Sequence, residues 1–158
     1  MFRSTMALAA CFMILAPQAH AEVPKSVAEA IGGATAISLY TSHALIGLAA
    51  TADHADEEKL KAAASAVGGT LGGLELVEQQ LRAAAKDLPA GEAETVVGLA
   101  DIAADVQKQG KHLLDALKAK AEANDAAAKK AMTAYTASRA LCAKKIGETL
   151  GIPAEVLK

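Results

Sequence analysis

Four histidines (His20, His43, His54 and His112) and two cysteines (Cys11 and Cys142) are the side chains of this 158-residue sequence with nitrogen- or sulfur-based ligating or nucleophilic chemistry near neutral pH. Histidines on facing helices can hold haem or a metal ion inside a helical bundle. His43 and His112 are the candidate cofactor-binding pair on that ground. Asp53, His54, Asp56 and Glu57 form a second constellation, in which three carboxylates and an imidazole could hold a divalent cation weakly. Helix capping and dipole complementarity account for the same acids without a metal. Cys142 shares a helical face with Tyr135 and Ile146 and has no histidine nearby, so it reads as a small buried hydrophobe, not a nucleophile.

Other chemistry is missing from the pattern. There is no Glu-x-x-His pair, the signature of di-iron carboxylate bundles, and no Cys-x-x-Cys-His for covalent haem attachment. Nucleophile, base and orienting group cannot be assembled from these residues, so no catalytic residue is assigned and the chain is read as non-enzymatic. No cofactor is predicted.

The elements that must position these residues are helices. Alanine, Leu, Glu, Lys and Gln dominate the sequence, and no window shows the β-branched alternation of a half-buried strand. Ser26-x-x-Glu29 reads as a capping box, Asp56 as an N-cap, Pro89-Ala90-Gly91 as a break, and Gly151 with Pro153 as a stop. Asn124-Asp125 is the least marked break. These signals predict helices over 26–53, 56–87, 91–123 and 125–150. Leu60, Ala64, Val67, Leu71, Leu74, Glu78, Leu81, Ala85 and Leu88 form one seam, and Val96, Leu99, Ala103, Val106, Gly110, Leu113 and Leu117 a second. Met132, Tyr135, Cys142 and Ile146 share a face of the last helix. The predicted fold is all-α, an up-down-up-down antiparallel four-helix bundle.

Within that bundle, Gly68-Gly69 and Gly72-Gly73 predict close backbone approach between the first two helices, since helical glycine costs roughly 1 kcal/mol against alanine. His43 and His112 fall at matching heights. If Ile31, Ser38 and Leu45 point inward, however, His43 lies about 160° away and faces solvent. Against Leu99 and Val106, His112 likewise points outward, beside Lys108. Glu78 and Arg139 interrupt apolar seams at different heights and are not paired.

The first 21 residues read as a signal peptide. Arg3 supplies the positive start, residues 6–16 an uncharged apolar run, and Ala19-His20-Ala21 the small-x-small cleavage pattern. Cleavage leaves one domain over 22–158, exported to the periplasm or beyond. A lipoprotein anchored through Cys11 is the alternative. It would leave Phe12-Met13-Ile14-Leu15 stranded after the cysteine. Cys142 is the sole cysteine of 22–158, so that domain stands on packing without an internal disulfide.

Charge and hydropathy narrow the partners. A net charge of −2 excludes a strongly basic nucleic-acid binder. Residues 22–107 carry 13 acids and 5 bases, whereas 108–145 carry 9 bases and 3 acids. Acidic and basic helices can therefore face each other across exposed edges, or Lys129, Lys130, Lys144 and Lys145 can offer a basic surface. Residues 31–52 contain no charged side chain. Such a segment is long enough to cross a bilayer, but Thr35, Ser38, Tyr40, Thr41, Ser42, His43 and Thr51 weaken insertion. It reads instead as the most buried helix of a bundle, with a second apolar face, Leu39 and Ile46, available to seal a dimer.

His43-x-x-x-Gly47-Leu48-x-Ala50 and Gln109-Gly110-x-x-Leu113 resemble segments of uncharacterised exported bacterial helical-bundle proteins. The resemblance implies a four-helix bundle and export, and brings no activity or cofactor. The shape is also similar to the cytochrome c-prime class, whose haem motif is missing here. Three readings follow: a bundle that binds a protein partner or a second copy of itself, a haem or metal carrier, and a membrane-associating protein.

Overall fold

The computed structural model describes residues 25–52, 54 and 56–151, and side chains within that span except those of 25–28 and 150. The proposed signal peptide, Asp53, Pro153 and the Ser26 cap side chain lie outside the described residues. The chain divides into two compact units. Met1–Gly32 is described from residue 25 onward as helical turns, and Gly33–Lys158 carries the packed helices.

Four helices pack against one another, and no strand occurs among the described residues: α1 Lys25–Thr51, α2 Glu57–Ala84, α3 Ala90–Ala121 and α4 Asp125–Leu150. The starts of α2, α3 and α4 and the end of α4 fall where the punctuation placed them, within one residue. Asp56 is extended and its side chain accepts from Lys59 N at 2.8 Å, which starts α2. A short 3₁₀ turn, Ala85–Asp87, follows α2. The Pro89 carbonyl accepts from Glu92 N and Ala93 N, opening α3. The Asn124-Asp125 break is real. Ala123 adopts a left-handed φ of 54°, Asn124 N donates to Ala119 O at 2.8 Å, and the Asn124 side chain accepts from Ala127 N to start α4. Gly151, at φ 63°, ends that helix.

The seams of α2, α3 and α4 meet in one aliphatic core. Leu60, Val67, Leu74 and Leu81 of α2 join Leu99, Ala103, Val106, Leu113 and Leu117 of α3 and Tyr135, Cys142 and Ile146 of α4. Residue pairings join α2 to α3: Leu71 lies over Gly110, Glu78 accepts from Gln107 and Arg82 meets Asp101.

Three expectations change. First, α1 turns a different face inward. Ala36, Leu39, His43 and Ile46 are buried, while Ile37, Leu45 and Leu48 are 66%, 50% and 65% exposed. The face assigned to a dimer is the core face, and Leu45 points out. Second, the most buried helix is α3, whose buried positions wrap more than half its circumference, from Ala116 round to Ala100. Third, Gly68, Gly69, Gly72 and Gly73 are exposed, and a Cβ at any of them would meet nothing within 4 Å. Close approach occurs at Gly110 instead, where a Cβ would lie 2.8 Å from Leu71 Cδ2 and 3.1 Å from Ile46 Cδ1.

These glycines should answer alanine with opposite signs. Gly72→Ala fills open space and relieves backbone entropy, so urea unfolding is expected to show a gain of about 0.5–1 kcal/mol. Gly110→Ala is expected to lose about 1 kcal/mol net, because overpacking of about 1–3 kcal/mol exceeds the propensity gain.

Candidate functional site

The heptad-like spacing of Ala36, Leu39, His43 and Ile46 carries His43 into the core, contrary to the outward direction taken from Ile31 and Leu45. It is 2% exposed. Its partner is Gln109 of α3, 0% exposed, whose Oε1 lies 2.7 Å from His43 Nδ1. Because an amide oxygen only accepts, Nδ1 carries the proton and donates, which leaves Nε2 of the neutral ring as a bare lone pair. Burial pushes the His43 pKa down, the Gln109 hydrogen bond opposes that shift, and the nearby Arg139 charge adds to it.

Arg139 of α4 completes the centre. Its guanidinium lies against the backbone of Gly47, one turn along α1 from His43. A Cβ at Gly47 would collide with Nη1. Three nitrogens of this centre, His43 Nε2, Gln109 Nε2 and Arg139 Nη1, are buried without a hydrogen-bond partner among the described residues. Buried polar groups are ordinarily satisfied, so three such atoms in one place ask for a reason.

The other candidates are placed elsewhere. His112 is half-buried on α3, and the partner of His43 is Gln109, one turn before it. Asp53 lies outside the described residues, and His54, Asp56 and Glu57 each have a partner within the chain. His54 Nε2 donates to Ala49 O at 2.9 Å, Asp56 caps α2 and pairs with Lys59, and Glu57 pairs with Lys61 at 2.6 Å. The Lys61 ammonium holds the Glu57 carboxyl below its ordinary range. No group of three His, Cys, Asp or Glu poised around a metal position occurs among the described residues. Asp56, Glu57, Glu58 and Lys61 line only an open depression on the surface.

Cys142 is buried, and burial pushes its thiol up to about 12, so it stays protonated and unreactive in the folded chain. Glu78 and Arg139 remain unpaired with each other. Glu78 bonds Arg82 and Gln107, and Arg82 also reaches Asp101 at 2.9 Å. Lys145 is bonded to Asp105 of α3, whereas Lys129, Lys130 and Lys144 are exposed. One ion pair, Lys145 with Asp105, thus joins basic α4 to α3.

Gln109 and Arg139 were the members of the centre that periodicity did not single out as a pair for His43. Height was the usable signal, since His43 matches the turn of α3 that holds both Gln109 and His112. No family model, curated protein or solved structure matches this chain.

The buried imidazole gives stability a pH dependence. The folded pKa lies below the ordinary 6.5, so the unfolded chain binds the proton more readily. The contribution of neutral His43 is therefore complete above 6.5 and is lost as the pH falls from there through the folded pKa. Urea midpoints measured from neutral pH down to about pH 5 should decline in the parent chain. His43→Gln, which keeps a hydrogen bond and cannot titrate, should decline less. Parallel curves for the two would contradict the assignment.

Proposed function

We propose that this chain is an exported, non-enzymatic helical bundle of up-down-up-down antiparallel topology that acts by association, with a second copy of itself as the occupant of the outer face of α1. The pairings Leu71–Gly110, Glu78–Gln107 and Arg82–Asp101 support the antiparallel arrangement, since positions rise along α2 as they fall along α3. The small-x-small sequence ending at Ala21 supports export.

One observation carries the association reading. Ile37, Leu45 and Leu48 stand exposed on the side of α1 opposite its core face, on a stretch with no charged side chain from Ile31 to Ala52. Single exposed aliphatics are ordinary, as Leu76 and Leu141 are here, but a row of them on one helix marks a contact surface. The row lacks charges that would select a different protein. An apolar stripe is complementary to itself, which is what a two-fold interface requires. Glu29–Thr51 is also long and apolar enough to span a membrane, with a third of it buried. Thr41 sits in the middle of the exposed row, and its hydroxyl bonds Ile37 O within the helix.

Native mass spectrometry of the periplasmic protein tests both parts. The expected species is a dimer of chains beginning at Glu22. Leu45→Glu should raise the dimer dissociation constant by about tenfold or more, equivalent to about 1.4 kcal/mol, with the helical circular dichroism unchanged. A strict monomer would overturn self-association, and a lipid mass on Cys11 would overturn simple export. Flotation of the chain with anionic vesicles would replace the dimer by a membrane surface.

A further inference from the structure

The centre formed by His43, Gln109 and Arg139 is unbalanced in a way that identifies what would complete it. Gln109 Oε1 already accepts from His43 Nδ1, so the Gln109 amide nitrogen holds two N–H donors with no acceptor. Arg139 Nη1 adds further donors. Its guanidinium forms no ion pair among the described residues, although Arg82, the other described arginine, bonds two carboxylates. Among the described residues, the unpartnered buried acceptor of this centre is the His43 Nε2 lone pair. Donors therefore exceed acceptors, and the one full charge is positive.

We propose that a small oxyanion, a carboxylate or phosphate group, binds between α1, α3 and α4 at Arg139 and Gln109, with His43 beside it. A guanidinium fork matches either group through paired N–H···O bonds, and the amide of Gln109 supplies a second donor from a different helix. His43 Nε2 accepts from a protonated oxygen of the anion or from a water bound with it. Gly47 has a part in this, since only a residue without Cβ lets the guanidinium lie against α1. A metal cation does not fit the same atoms: two of the three are N–H donors, and the Arg139 charge repels it.

Placing the receptor groups on three helices also distinguishes this site from the outer stripe of α1. Ile37, Leu45 and Leu48 lie on the opposite side of that helix, so oxyanion binding and self-association can succeed or fail separately.

The test is an NMR titration of the chain purified in chloride buffer, with sodium phosphate and sodium acetate as separate probes. The side-chain resonances of Gln109, Arg139 and His43 are followed. A saturable shift of all three by either probe is expected, and the probe that acts tells phosphate from carboxylate. Arg139→Met should weaken that binding at least about tenfold, and Gly47→Ala, which displaces the guanidinium, should do the same. If Arg139→Met fails to fold, Gln109→Glu keeps the test decisive. Its carboxylate supplies the missing charge internally, so the folded variant should no longer respond to either probe. Absence of a saturable shift with both probes at millimolar concentration, in the folded parent chain, would overturn the proposal and leave water as the partner of these nitrogens.

Discussion

The hydrogen bond between His43 and Gln109 decides how α1 sits on the rest of the bundle. The surrounding core is built mainly from Ala, Leu, Val and Ile, with Tyr135 as its buried aromatic residue, and such side chains tolerate sliding and rotation. A buried imidazole does not. Turning α1 so that Nδ1 lost its acceptor would leave a buried donor unsatisfied, at a cost of about 1–3 kcal/mol. Inward His43 then dictates the remainder. Ala36, Leu39 and Ile46 follow it into the core, Ile46 packs over Gly110, and Gly47 is brought beneath Arg139. Ile37, Leu45 and Leu48 have nowhere to go but outward. The polar centre and the exposed apolar row are thus two consequences of one helix phase.

Much of the architecture was legible in the sequence because it rests on local chemistry. Asp56 and Asn124 cap helices through their own side chains, and Gly151 ends one through its left-handed backbone. None of these depends on what packs nearby. The seams of α2, α3 and α4 were equally readable, since each has a single apolar stripe. The phase of α1 was not, because it has two. Leu39 and Ile46 lie on one side and Ile37, Leu45 and Leu48 on the other, so hydrophobicity alone gives no preference. A polar residue broke the tie, and its effect depended on a partner 66 positions away.

The glycines teach a related lesson. Four of them on α2 suggested a tight helix contact, yet they face open space, whereas the buried Gly110 makes one. Glycine permits close approach and does not create it; the neighbouring side chains do. The candidate site was partly visible for the same reason. His43, Gly47, Gln109 and Gly110 belong to the two short segments on which the resemblance to exported bundle proteins rests. Matching heights pointed to the correct turn of α3. Arg139 stood out only as a polar interruption of an apolar seam, because its place beside His43 depends on the space left by Gly47 across the bundle.

The phase of α1 rests on the protonation state and burial of one imidazole, so nitrogen NMR of histidine-labelled chain at neutral pH tests it most directly. The His43 ring is expected to be neutral, with its proton on Nδ1, slow to exchange with solvent and coupled across the hydrogen bond to Gln109. A ring protonated on Nε2, or one that exchanges freely with water, would contradict the account and place the other face of α1 against the core.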